Sequence, residues 1–304
     1  MREIIRLDGL TKDYGKGKGI FDVNFSINEG ETFGIVGVNG SGKTTTMRHL
    51  MGFLKQDKGK AIAMGKDCWR DASVLKKHIG YVPGEIAFPD VKSGTDFLKI
   101  QSDFMGLKDW TYTDQIIKRL GLDITSSIKR MSKGMKQKTA LVAAFMAQPD
   151  ILLLDEPTTG LDPLMRDTVI EMMLEAKRNG KTIFVSSHIF NELEGTCDRI
   201  AFIKNGKIID IADMNTITGH GADKEYKIEF TTQQDYMSFR SLNFNVVRTQ
   251  DEYHQVTIRI FDKDLKALFA ALSDFEVKFI SHKPYTLEDY FSEKFNNLED
   301  ESND

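Results

Sequence analysis

The chain has 304 residues, a formal net charge of -4, 40% hydrophobic and 28% charged residues, and six prolines. This is an ordinary globular composition with the length of roughly two domains. No run approaches the about 20 apolar residues of a spanning helix, Cys68 and Cys197 form no paired-thiol pattern, and the acidic balance leaves no nucleic-acid footprint.

Residues 1–19 carry scattered charges without the apolar core of a secretory signal, so a cytosolic protein is expected. Short strands are predicted over residues 4–10 and 20–27, with Tyr14 between them reading as bare sequence either as a half-buried strand residue or as a functional one, and a turn at Gly15-Lys16-Gly17-Lys18-Gly19. That turn reads as a solvated hairpin tip, with phosphate contact by Lys16 and Lys18 as the alternative. Residues 32–36 form a short apolar strand ending in a Gly-rich loop, followed by a helix over 43–53. Residues 86–149 read as mostly helical, with Ser93 capping one helix and Gly121 ending another over 113–120.

After Pro149, strands alternate with helices. These are a buried strand at 151–154, a helix at 163–178 with Asp162 as N-cap and Pro163 as its first residue, and a strand at 182–185. A hairpin turns around Asn205-Gly206. Such alternation predicts a mainly parallel sheet covered on both faces. Residues 216–224 turn polar and mark a domain boundary. Beyond it the order βαββαβ is the ferredoxin-like one, followed by a helix over 287–295 and an acidic, frayed tail over 296–304.

Two motifs carry chemistry. Gly37-Val38-Asn39-Gly40-Ser41-Gly42-Lys43-Thr44-Thr45 fits G-x-x-x-x-G-K-[ST] between a strand and a helix. Glycines let the backbone N–H groups turn inward onto phosphate oxygens at a helix N-terminus, Lys43 adds a point charge, and the Thr44 hydroxyl suits Mg²⁺. In Ile151-Leu152-Leu153-Leu154-Asp155-Glu156, a buried strand delivers two carboxylates at its C-terminal end, where open parallel sheets bind ligands. Asp155 is suited to hold Mg²⁺ through water and Glu156 to polarise an attacking water.

With these motifs in order, the chain over about residues 4–212 resembles the ATPase subunit of an ATP-binding cassette (ABC) transporter. The resemblance implies a P-loop NTPase (RecA-like) α/β core with an antiparallel β subdomain and a helical subdomain at about 85–149. These lie within an ATP-binding domain of residues 1–218. An α+β accessory or regulatory domain at 225–295 and a disordered acidic tail at 296–304 complete the chain.

The same resemblance places Tyr14 under adenine. It places Gly37, Asn39, Gly40, Ser41, Gly42, Lys43, Thr44 and Thr45 around the phosphates, and His188 on the γ-phosphate beside the catalytic Glu156. Ser132 and Gly134, in Met131-Ser132-Lys133-Gly134-Met135, match the family signature that faces a partner subunit's ATP. Asp162 matches the D-loop. As bare sequence, Ser132 and Asp162 are equally good helix caps. Two departures stand out. Gly84-Glu85 follows Tyr81-Val82-Pro83 where the family has Gln, leaving Glu85 either as a Mg²⁺ ligand beside Thr44 and Asp155 or as a loop acid. Lys133 and Met135 alter the signature.

The function so implied is Mg²⁺-dependent ATP hydrolysis. It would energise an exporter of the ABC-2 type, to which the signature and Tyr285-Thr286-Leu287-Glu288-Asp289-Tyr290-Phe291 are similar. The expected form is a head-to-tail homodimer joined to a separate transmembrane permease, peripherally attached to the cytoplasmic face of the membrane, with Ile86 and Phe88 at the docking groove. A soluble ABC ATPase driving a ribosomal or cofactor-assembly machine is the alternative.

Overall fold

The computed structural model describes residues 2–218, 224–283 and 285–300. The chain divides into two compact units, Met1–Ala212 and Asp213–Asp304, each with its own apolar core.

The first unit opens with antiparallel strands β1 (Glu3–Asp13) and β2 (Gly19–Asn28). Ile5 and Leu7 are buried while Arg6 and Asp8 are exposed, the two-residue period of a one-sided strand. Between β1 and β2, Gly15, Lys16 and Gly17 all adopt positive φ, which glycine does at little cost. Tyr14 lies in this turn, 53% exposed, and not in a strand. Strand β3 (Thr32–Val36) runs through the Gly-rich loop into α1 (Lys43–Leu50), which stops before Gly52 at φ 63°.

Strands β4 (Lys58–Ala63) and β5 (Lys66–Asp67) and helix α2 (Ala72–Leu75) come next. Lys58-Gly59-Lys60 shows no apolar alternation; β4 is a strand because β1 pairs with it, Ile5 opposite Ala63 and Leu7 opposite Ala61. The resulting sheet has the order β2-β1-β4-β5, the expected antiparallel part.

Strand β6 (Ile79–Val82) leads into helices α3 (Gly94–Met105), α4 (Thr111–Arg119) and α5 (Lys133–Phe145). Ser93 and Asp96 form a reciprocal capping box on α3, and Ser132 caps α5 through the Met135 N–H. Then follow β7 (Ile151–Asp155), α6 (Pro163–Arg178), β8 (Thr182–Ser186), α7 (Phe190–Glu194), β9 (Arg199–Lys204) and β10 (Lys207–Asp213).

The main sheet has the order β10-β9-β3-β8-β7-β6, parallel from β9 to β6. Every residue of β3, β7 and β8 is buried, as a parallel sheet covered on both faces requires. Phe25 stacks on Phe33 at 5.0 Å, with Phe184 tilted against both; each buried ring contributes about 1.5–3 kcal/mol. Because β3, β7 and β8 run the same way, the Gly-rich loop, Asp155 and Ser186 emerge at one edge.

In the second unit, α8 (Met214–Thr218) precedes β11 (Lys224–Phe230), α9 (Gln233–Arg240), β12 (Asn245–Gln250), β13 (Gln255–Ile260), α10 (Leu265–Leu272) and β14 (Val277–Lys283). The antiparallel order β12-β13-β11-β14 is ferredoxin-like. Tyr236, Phe239 and Leu268 from the helices pack on Ile228, Phe230, Val256 and Ile258 from the sheet. Helix α11 (Leu287–Asp300) runs five residues past its expected end at 295. Residues 219–223 of the expected linker and 301–304 of the expected tail lie outside the described residues.

Candidate active site

The loop after β3 is built by what its glycines permit. A Cβ on Gly37 would stand 2.2 Å from the Ile203 carbonyl oxygen. Gly40 and Gly42 hold φ of 80° and 117°, a region that only glycine enters freely. The loop is also braced from β9–β10, where the Gly206 N–H donates to the Ser41 carbonyl at 2.9 Å and the Gly206 carbonyl accepts from Phe21 at 2.7 Å.

Lys43, 6% exposed, opens α1. Its ammonium donates to the Gly37 carbonyl at 2.7 Å and stands 3.9 Å from Glu156 Oε1. Burial lowers the Lys43 pKa from its ordinary value, and the charges of Glu156 and Asp155 oppose that shift.

Asp155 ends β7 fully buried. Its Oδ1 accepts from the Ser186 hydroxyl at 2.6 Å, while Oδ2 is buried without a partner. Glu156 turns out of the strand at φ 52°, a strained conformation for a residue with a side chain. Its N–H donates to both the Ser186 carbonyl and hydroxyl, at 3.1 and 3.0 Å. The turn aims the carboxylate at His188, with Nδ1 2.6 Å from Oε2. An ionised carboxylate only accepts, so Nδ1 is the donor in this pair.

A cleft of about 600 Å³ is lined by residues 39–45 together with Tyr14, Lys18, Arg48, Glu85 and Glu156, while Gly37, Asp155 and His188 are not among its lining residues. Tyr14, residues 39–45, Glu85 and Glu156 thus share one cleft. Ser132, Gly134 and Asp162 do not line this cleft. Ser132 and Asp162 are exposed N-caps of α5 and α6, and a Cβ on Gly134 would sit 3.0 Å from the Gly160 carbonyl.

Sequence reasoning missed several groups. Arg48 lies one helical turn beyond Thr44, a spacing that shares a helix face. Gln137, on α5, donates to the Pro157 carbonyl at 2.8 Å. Glu192 accepts from Ser187 and Thr158 at 2.8 Å each and so ties the His188 loop to the segment after Glu156. Ser186 was foreshadowed only by its place at the end of a strand beside β7.

The unpartnered Oδ2 of Asp155 and the hydroxyl of Thr44 are hard oxygen donors suited to a divalent cation. Among the described residues no cluster of three or more His, Cys, Asp or Glu could hold a metal.

Residues 20–159 match the ABC transporter family model. The ABC transporter ATP-binding protein YhcH of Bacillus subtilis is 34% identical over 219 residues, covering 70% of this chain and 71% of that protein. The chain belongs to the ABC transporter ATP-binding family. Another relative, the bacitracin transport ATP-binding protein BcrA of Bacillus licheniformis, is 32% identical over 69% of this chain and 70% of its own. YtrB of Bacillus subtilis, an ABC transporter ATP-binding protein, is 28% identical across 96% and 98%. The solved structure of an ATP-binding subunit of an ABC transporter matches with a TM-score of 0.65 at 27% identity, covering 70% of this chain and 91% of that one. As an ABC ATPase, the protein binds and hydrolyses ATP. Family members generally work as dimers with transmembrane partners, and among the described residues no helix is long and apolar enough to cross a membrane.

Proposed function

We propose that the chain energises export through a separate transmembrane permease, attached to it at the cytoplasmic face of the membrane. The observation that carries the catalytic part is the placement of the Glu156 carboxylate between Lys43 and His188 at the wall of the cleft. The loop amides from Gly37 to Thr45 and the Lys43 ammonium hold the phosphates, and Tyr14 lies against the base. Glu156 orients the attacking water, and His188 presents Nε2 to the γ-phosphate. Thr44 and Asp155 would hold Mg²⁺, with Glu85 as a further candidate ligand, and the cation would neutralise charge on the phosphates.

Ser132, Gly134 and Asp162 serve a second subunit's nucleotide, which their position outside this chain's own cleft supports. Two copies then pair head to tail. The names of BcrA and of the linearmycin resistance ATP-binding protein LnrL of Bacillus subtilis support an export role. A second groove of about 560 Å³ offers the permease an apolar seat of Phe53, Phe88, Phe97 and Phe104 beside Glu85. Phe88 packs edge-on against Phe97 at 4.7 Å. Ile86 is not among the groove's lining residues.

Glu156→Gln tests the reading. It keeps the binding groups, so ATP should drive a stable dimer visible by light scattering, while phosphate release falls roughly 100-fold or more. Normal hydrolysis would overturn the assignment of Glu156. Co-purification of the wild-type chain with a polytopic membrane protein tests the permease.

A further inference from the structure

We propose that Ser186 is the positioning residue of the two acids, setting which oxygen of Asp155 faces the metal and how Glu156 leaves its strand. This rests on the reading of Asp155 as the Mg²⁺ ligand and of Glu156 as the residue that orients water.

Ser186 is fully buried at the last position of β8, and the parallel register sets it directly beside Asp155. Its hydroxyl has one proton and uses it on Asp155 Oδ1 at 2.6 Å. The lone pairs remain as acceptors, and the Glu156 N–H donates to them at 3.0 Å. The hydroxyl rotor is therefore fixed from both sides. A carboxylate gripped at Oδ1 cannot spin its oxygens, and the one left over is Oδ2, buried without a protein partner. Gly84 closes the same side, since a Cβ there would stand 2.9 Å from Oδ2. One oxygen is thus committed to the Ser186 hydroxyl, and the other has no protein partner. Partners that orient a metal ligand in this way typically matter about 10–100-fold in metal affinity or activity.

Glu156 needs the same hydroxyl for a different reason. A left-handed φ of 52° on a residue with a side chain persists only where the surroundings impose it. Two bonds from its N–H to Ser186 do so, one to the carbonyl and one to the hydroxyl. The neighbouring Ser187 has no part in this, because its hydroxyl donates to Glu192. The two consecutive serines therefore act on different acids.

Ser186→Ala and Ser186→Cys, the latter close in volume but with a weak donor, test the assignment in the full chain. If Ala impairs folding, Cys carries the test. ATP binding is measured by calorimetry with Mg²⁺ and with EDTA, and phosphate release is titrated with Mg²⁺. Both variants should bind ATP in EDTA as wild type does, lose most of the affinity gained from Mg²⁺, and need roughly tenfold more Mg²⁺ for half-maximal turnover. Ser186→Thr, which restores a hydroxyl, should recover the Mg²⁺ response, and Ser187→Ala should leave the half-maximal Mg²⁺ unmoved. An unchanged Mg²⁺ response in both Ser186→Ala and Ser186→Cys overturns the proposal. Should Glu156→Gln be inactive while Ser186→Ala is normal, the role of Ser186 alone fails. Should Glu156→Gln hydrolyse normally, the underlying reading of the acids fails first.

Discussion

Lys43 and Glu156 face each other with Nζ 3.9 Å from Oε1, and both side chains are largely withdrawn from water. The buried ammonium and the carboxylate are therefore electrostatically one unit. Removing either charge leaves the other poorly solvated.

Lys43→Ala should weaken ATP binding by about 10–100-fold, the loss expected for a charge-assisted hydrogen bond to phosphate. Equilibrium binding with a fluorescent nucleotide checks it, and unaltered affinity would count against the loop as the phosphate cradle.

His188→Ala removes the partner of Glu156 Oε2 without touching the loop. Turnover should fall about 100-fold or more while ATP binding stays within a few-fold of wild type. Phosphate release and binding, measured on the same preparation, separate the two effects.

Two glycine substitutions should diverge. In Gly42→Ala the new methyl would stand 2.6 Å from Ile20 Cγ2 at a φ of 117°, whereas Gly15→Ala meets nothing within 4 Å. Both positions have positive φ, the one at Gly42 further from the region side chains tolerate, so the difference between their unfolding midpoints reads the clash together with the added strain. Gly42→Ala should be the less stable of the two and should bind ATP more weakly.

Burial pushes the thiols of Cys68 and Cys197 up to about 12 from an ordinary value of 9.0. In the native chain both stay protonated at pH values where the unfolded chain has lost those protons. Stability from these groups is fully present below about pH 9 and falls between about 9 and 12, by up to about 1.4 kcal/mol per pH unit for each thiol. Urea unfolding at pH 8 and pH 10.5 should show the loss, and Cys68→Ser, Cys197→Ser should flatten it. Native protein at pH 8 should resist alkylation until it unfolds.

The sequence is most legible where a residue's role is local. The loop glycines, the caps at Ser93, Ser132 and Asp162, and the buried strand before Asp155 each follow from neighbours within a few positions. Strand β4 was hidden because Lys58-Gly59-Lys60 has no pattern of its own and becomes a strand only against β1. Tyr14 lies in the turn because Gly15 and Lys16 leave the β region directly after it. The Ser186 hydroxyl was invisible for the same reason in sharper form. Its meaning comes from Asp155, thirty-one positions away, and nothing in a serine's immediate surroundings states which acid it will meet.

The brace between Gly206 and the Gly-rich loop sets an order of events during synthesis. Ser41 and Gly37 leave the ribosome early, yet the carbonyl of Ser41 is bonded, and the space beside Gly37 is filled, by residues 203–206. A nascent chain that ends before that turn has the whole phosphate-binding motif without its seat. Nucleotide affinity should therefore arise late and abruptly, once the β9–β10 hairpin has emerged, and fragments truncated ahead of it should contain the motif without the activity.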